Sequence, residues 1–206
     1  MGSYGEAVTG LQPIIKPVFD SLEAGLSTAA DQHTRAKFIR IDDPWYYLHT
    51  VRRVACERLR AEGLQATLDG HRFALPLSGL LVVFGGYVVR VLHAEGGEID
   101  KEGKRKGFPP RVPIPGRSKA KQAFWRQEPF DGMRTENLLL LWQDDHGQLL
   151  DPMLLASPKG GDHQRHSLRL SWDGKLSRNM ATMRASDLNE LEPDHVYPEI
   201  GFEEAG

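Results

Sequence analysis

The sequence predicts an α+β fold: N-terminal helices packed on an antiparallel sheet, with a long basic insertion between strands. Three observations carry this. Apolar residues recur at helical spacing on the N-terminal side of Gly63. Beyond Gly63 the spacing changes to the runs and alternations of strands. Between those strands, one stretch is too rich in Pro, Gly and cations to belong to either. Helices followed by strands, rather than alternating with them, argue α+β over a doubly wound sheet.

The first helix is marked by Leu11, Ile14, Ile15, Val18, Phe19, Leu22 and Leu26. Thr9-Gly10-Leu11-Gln12 has the form of a capping box, and Pro13 fits a first turn. Pro17 removes a hydrogen bond and clashes one turn back, which predicts a kink there or a helix that starts after it. The second helix opens on Asp43 as N-cap and Pro44 at the first position, and Gly63 stops it. Leu48, Val51, Ala55 and Leu59 form its apolar stripe. Arg52, Arg53, Arg58 and Arg60 decorate its other faces, as solvated helix surface commonly does.

"LLVVF" and "YVVRV" flank Gly85-Gly86, two residues that accept the positive φ values of a type I′ turn. The register follows: Phe84 faces Tyr87, Val83 faces Val88 and Val82 faces Val89. "HRFALPL" supplies a neighbouring strand, with Pro76 placing it at an edge or marking its end. "ENLLLLW" and "LLDPMLLAS" form another pair around a "QDDHGQ" turn. "HSLRLSW" alternates, and Asp173-Gly174 turns the chain after it. Trp142 and Trp172 lie in strand patterns and are read as core or sheet-surface residues.

The charge is unevenly placed. Lys101–Arg126 holds nine Lys or Arg and one acid, Glu102, in a chain of net charge −2. Prolines 109, 110, 113 and 115, with Pro129 just beyond, break the stretch to about Phe130 into a loop of a length uncommon inside a compact domain unless functional or disordered. From Ala185 to the C-terminus there are seven acids and no Lys or Arg. The expected organisation is one domain over residues 1–185, with 97–131 a long basic loop, and an acidic tail over 186–206 that is solvated.

Composition narrows the function classes. No apolar run approaches the ~20 residues of a membrane helix, and the N-terminus lacks the basic start and apolar core of a signal peptide. A single cysteine, Cys56, excludes an internal disulfide framework and sits in a helical pattern as a buried thiol. A cytoplasmic protein without membrane contact is expected. Walker, GxGxxG, HExxH, CxxC and GxSxG signatures are all missing from the sequence.

Three constellations remain. In the basic stretch, Lys104, Arg105 and Lys106 form a compact cluster, followed by Arg117, Lys119, Lys121 and Arg126 with Phe124 and Trp125 among them. Phosphate neutralisation needs such cations, and stacking on unpaired bases needs such aromatics. The bland alternative is a solvated loop whose Phe124 and Trp125 anchor its end to the core, and an acidic protein would satisfy the same cations. His163 and His166 have HxxH spacing beside Asp162, with Asp144-Asp145-His146 in another turn. No third and fourth fixed ligand completes a metal site, so no metal or cofactor is expected; a histidine could serve as acid or base in a metal-independent ribonuclease. In "ASPKGG", Lys159 on a Gly-rich turn can reach a phosphate.

"YVVRVLHAE", "PIPGRSKAKQAFWRQ", "NLLLLWQ", "LLASPKGG" and "LRLSW" together resemble a group of uncharacterised bacterial proteins. In that group a strand ending "RVLKA" or "RVLHA" leads to "PGxSxxxQxFxxQ", then a strand "NLxxLW" and a "CPKGG"-like turn. These are similar to toxin-like partners encoded beside antitoxins that join a helix-turn-helix to a metallopeptidase-like domain. The resemblance spans about Leu80 to Trp172 and singles out Pro115, Gly116, Ser118, Gln122, Phe124, Gln127, Pro158, Lys159 and Gly160. Ser157 stands where the pattern has a strand-end Cys or Ser. The resemblance implies a toxin of a toxin–antitoxin pair, with a cognate antitoxin as partner. Joined to the basic-aromatic segment, it leads to an expectation of action on RNA or the translation apparatus, with Lys159, His163 and His166 as the candidates for any chemistry. The competing expectation is a non-enzymatic module that docks the same segment on an acidic protein.

Overall fold

In the computed structural model the described residues are 2–40, 42–68, 79–94, 124, 126–127, 136–162 and 167–197, with 161, 162, 167 and 168 described in their backbone alone. Helix α1 runs Tyr4–Ala36 without interruption. Its N-cap is Ser3, whose hydroxyl accepts from the Glu6 N–H at 3.2 Å while the Glu6 carboxylate accepts from the Ser3 N–H at 2.7 Å. The capping box therefore lies six residues upstream of the one expected at Thr9. Pro13 and Pro17 are inside the helix. Both sit away from its buried stripe, where water can satisfy the carbonyls their rings leave unbonded. Against them stands the burial of Leu11, Ile14, Ile15, Val18, Phe19, Leu22 and Leu26, each 3% exposed or less. At about 1.5–3 kcal/mol per large apolar side chain, that burial outweighs the local cost of a proline.

Helix α2, Pro44–Ala61, has the expected start: the Asp43 carboxylate accepts from the Tyr46 N–H at 2.9 Å. Its inward face is Tyr47, Val51, Ala55, Cys56 and Leu59. Of the expected stripe only Leu48 is half-buried.

The strands are β1 Gln65–Thr67, β2 Leu80–Phe84, β3 Tyr87–His93, β4 Glu136–Trp142, β5 Asp144–Asp145, β6 Gln148–Leu149, β7 Met153–Asp162, β8 Ser167–Leu176 and β9 His195–Val196. Seven of them form one sheet in the order β1-β2-β3-β4-β7-β8-β9, and β5 pairs with β6 in a small separate hairpin. The β2–β3 hairpin has the expected register and turn: Phe84 faces Tyr87, and φ is 58° at Gly85 and 86° at Gly86. The "HRFALPL" segment lies outside the described residues; β1 pairs with β2 on the side away from β3.

The α+β class holds, and among the described residues every strand pair in the sheet is antiparallel except one. Strands β3 and β4 are parallel, with Tyr87 against Glu136 and His93 against Trp142. Parallel neighbours need a crossover of a dozen or more residues, and residues 94–135 supply it. The basic stretch is thus the crossover between the two central strands rather than an excursion from a hairpin. The "LLLLW" run carried the signal, since a strand buried on both faces reads as continuous apolar sequence.

Alternation divides the core. On the first face Leu80, Val82, Val89, Val91, Leu138, Leu140, Trp142 and Leu155 pack under α1 and α2. On the second face Leu81, Val88, Leu92, Leu139, Leu141, Leu154, Ala156 and Leu170 pack with Phe124.

Asp173-Gly174 is not a turn. Both residues lie inside β8, Asp173 opposite Ala156 and Gly174 opposite Leu155. The glycine answers a close approach: a Cβ there would lie 2.7 Å from the Tyr4 ring. The acidic segment joins the fold as far as Tyr197. A 3₁₀ turn, Arg178–Thr182, and helix α3, Ala185–Asn189, lie against α1, with Gln12 donating to the Met183 carbonyl at 2.6 Å and Leu188 fully buried. Strand β9 then pairs with β8.

Candidate nucleic-acid interface

Where the crossover rejoins the sheet, residues from three separate motifs meet. Strand β4 pairs with β7 only from Leu139 to Leu141, so the backbone of Asn137 has no strand partner on that side. The Gln127 side chain takes the place of one. Its Oε1 accepts from the Asn137 N–H at 2.7 Å, and its Nε2 donates to the Asn137 carbonyl at 2.7 Å and to the Pro158 carbonyl at 2.8 Å. A primary amide imitates a peptide group, offering the donor and acceptor that a neighbouring strand would offer. Pro158 is tolerated in β7 for the same reason: β4 has ended its pairing there, and β8 shifts register around it.

Phe124 holds the other side of the junction. Its ring is fully buried on the second face, and its carbonyl accepts from the Asn137 side-chain amide at 3.1 Å. Its role is therefore to brace the segment rather than to stack on a base. Gln127 adopts φ +58°, a left-handed conformation uncommon for a residue with a side chain. Its three hydrogen bonds to backbone groups offset that strain.

Beside this clamp lies a polar cluster. Asp173, fully buried, accepts from His195 Nδ1 at 2.9 Å and from the Tyr197 hydroxyl at 2.7 Å. Burial, and then the Asp173 carboxylate, push the Tyr197 phenol up to about 12, so it remains a donor. Lys159, half-buried on β7, donates to the Tyr197 carbonyl at 3.1 Å. The His195 ring is held at one nitrogen by a buried carboxylate, the arrangement that orients an imidazole for proton transfer. On the same face Arg90 is 4% exposed, and burial, followed by the charge of Arg52, lowers its guanidinium to about 10.

The opposite end of the parallel pair carries a second buried carboxylate. Asp144, its side chain fully buried, accepts from both Arg40 guanidinium nitrogens, from His93 Nε2 at 3.2 Å and from the Gly147 N–H at 3.0 Å. Burial alone would raise this carboxyl. The His93 and Arg40 donors, the Arg40 charge and the Gly147 amide outweigh it and hold the group well below the usual carboxylate range. Arg40 also lies over the Tyr47 ring, 4.2 Å from its centre. With its charge fully compensated, this cluster fixes the α1–α2 connection onto the ends of the strands.

Of the residues expected to act, Lys104, Arg105, Lys106, Arg117, Lys119, Lys121, Trp125, His163 and His166 lie outside the described residues, as do Pro115, Gly116, Ser118 and Gln122. Arg126 is exposed at the edge of the clamp. Phe124, Gln127, Pro158 and Lys159 converge as described. Among the described residues no group of three or more His, Cys, Asp or Glu could hold a metal ion, and no helix is long and apolar enough to cross a membrane. Sequence reasoning missed Asp173, His195 and Tyr197. An Asp-Gly pair reads as a turn, and the acid-rich surroundings hide "HVY", a short strand signal. No family model, curated protein or solved structure matches this chain.

Proposed function

We propose that this protein is the toxin-like component of a bacterial toxin–antitoxin pair and acts on RNA or the translation apparatus through its basic crossover segment. The observation that carries the reading is the anchoring of that segment. Eight cations against one acid, from Lys101 to Lys121, precede a junction at which Phe124 and Gln127 lock the chain to the sheet, beside Lys159 and the His195–Asp173 pair. Arg117, Lys119 and Lys121 are the cations that would hold a polyanion ahead of that junction. A toxin of this kind is neutralised by a cognate antitoxin protein.

Salt dependence tests the reading. Affinity for single-stranded RNA should fall with a log–log slope near −0.7 per phosphate contacted, or about −3 for four or five contacts. Replacing Arg117, Lys119 and Lys121 by Ala should flatten the slope by about two units. Fluorescence anisotropy across a salt series reads both. No binding at low salt, or binding indifferent to the triple substitution, would shift the assignment to a module that docks on an acidic protein.

A further inference from the structure

Among the described residues, no helix or strand covers the outward face of α2. At its N-terminal end are four large exposed apolar residues, Phe38, Ile39, Trp45 and Tyr46, and Trp45 is 65% exposed. The Trp45 indole stacks on His49 nearly in parallel, at 5.0 Å and 9°. A groove of about 590 Å³ continues along the same face, with Arg53 and Arg58 on its lining. These two arginines lie about 7.5 Å apart along the helix axis. Both are exposed, and neither is ion-paired among the described residues, whereas Glu57 between them is bonded to Arg60 at 2.8 Å. The arrangement is a flat aromatic stack leading into a groove whose unpaired charges are both positive.

That combination matches one ligand chemistry. Unpaired bases stack on aromatic rings, and the phosphates that follow them seek guanidinium groups. A helix from a protein partner would have to bury two uncompensated arginines there, which is costly. We infer that the outward face of α2 is a second single-strand nucleic-acid site, with a base on Trp45 and successive phosphates on Arg53 and Arg58. It lies across the sheet from Phe124, so it extends the RNA reading to an independent surface.

The test uses the full chain and a fluorescein-labelled oligouridine longer than the ~16 nucleotides at the upper end of single-domain sites. Trp45→Ala should weaken binding roughly 5- to 100-fold and leave the salt slope unchanged. Arg53→Ser with Arg58→Ser should weaken it and flatten the slope by about 1.4. All three side chains are exposed, so melting temperatures should stay at the parent value. Parent-level affinity in both variants overturns the inference. If the Arg117, Lys119 and Lys121 variant alone loses binding, the proposed function stands and this second site falls. If only the α2 variants lose it, the second site stands and the basic segment is not the contact. Displacement of the oligouridine by polyglutamate at equal charge would identify a protein dock and also overturn the inference.

Discussion

The two faces of the sheet are covered by different physical means. Beneath α1 and α2 the contacts are mostly apolar, from Tyr4 and Val8 through Phe19 and Leu22 to Trp142 and Leu155, with Ser21, His33 and Thr50 as the buried polar residues of the two helices. The second face mixes Leu81, Val88, Leu139 and Leu154 with buried Arg90, Asn137 and Asp173. The first face is held by area removed from water, which is non-directional and tolerant of volume-conserving change. The second depends on polar groups that must each find a partner, because an unmatched buried donor or acceptor costs its full desolvation. A cation-rich segment can be fixed in place on such a face, since hydrogen bonds specify position where apolar area does not.

The sharpest way to separate the two is to damage each in kind. Phe19 is 1% exposed and packs in the helix-covered core. Phe19→Ala should cost ~3–5 kcal/mol and lower Tm by roughly 10 °C. The loss should be the same in low and high salt and across neutral pH. A loss that varied strongly with either would mean that the first face also rests on electrostatics.

On the second face, Gln127→Ala removes a donor and an acceptor that satisfy three backbone groups, and should cost about 2 kcal/mol. Gln127→Glu discriminates further. Its carboxylate can accept from the Asn137 N–H but cannot donate to the Asn137 and Pro158 carbonyls. It should therefore be at least as destabilising as Ala, although nearly isosteric with Gln. Denaturant titration of the three proteins measures this; a Glu variant as stable as the parent would sink the clamp as described.

These particulars show what could be read from the chain. The hairpin at Gly85-Gly86 and the cap at Asp43 were legible because a few adjacent residues determine them. The true start of α1 was hidden because a local capping pattern at Thr9 and two prolines argued against what distant packing dictates. The parallel β3–β4 pair was only half legible: the continuous apolar run "LLLLW" marks a strand buried on both faces, but which strand it pairs with, and in which direction, is set by where the crossover returns. For the candidate site, the motif residues Phe124, Gln127 and Pro158 were visible as positions but not as a clamp. Their meeting with Asn137 depends on where β4 stops pairing with β7. Asp173 was misread because Asp-Gly is usually a turn, and its partners lie 22 and 24 residues further on.

Asp144 joins the two kinds of covering, a buried charge that ties the α1–α2 connection to the strand ends, and it gives the smallest effect. Asp144→Asn should cost about 1–2 kcal/mol near neutral pH, less than a fully enclosed pair would, because the Arg40 side chain is 37% exposed. The pH dependence has a definite sign. The folded-state carboxyl is held below its ordinary value, so its contribution is complete above the unfolded value of about 3.9 and is lost as pH falls through the folded one. The parent should thus lose this increment on acidification below about pH 4, and the Asn variant should lose less over the same window. The two stability curves should be furthest apart at neutral pH and converge in acid. Thermal unfolding at a series of pH values from neutral downward makes the comparison. Curves that stay parallel to the lowest pH reached would show that Asp144 is held by packing alone, and that the Arg40 and His93 contacts add nothing to the fold.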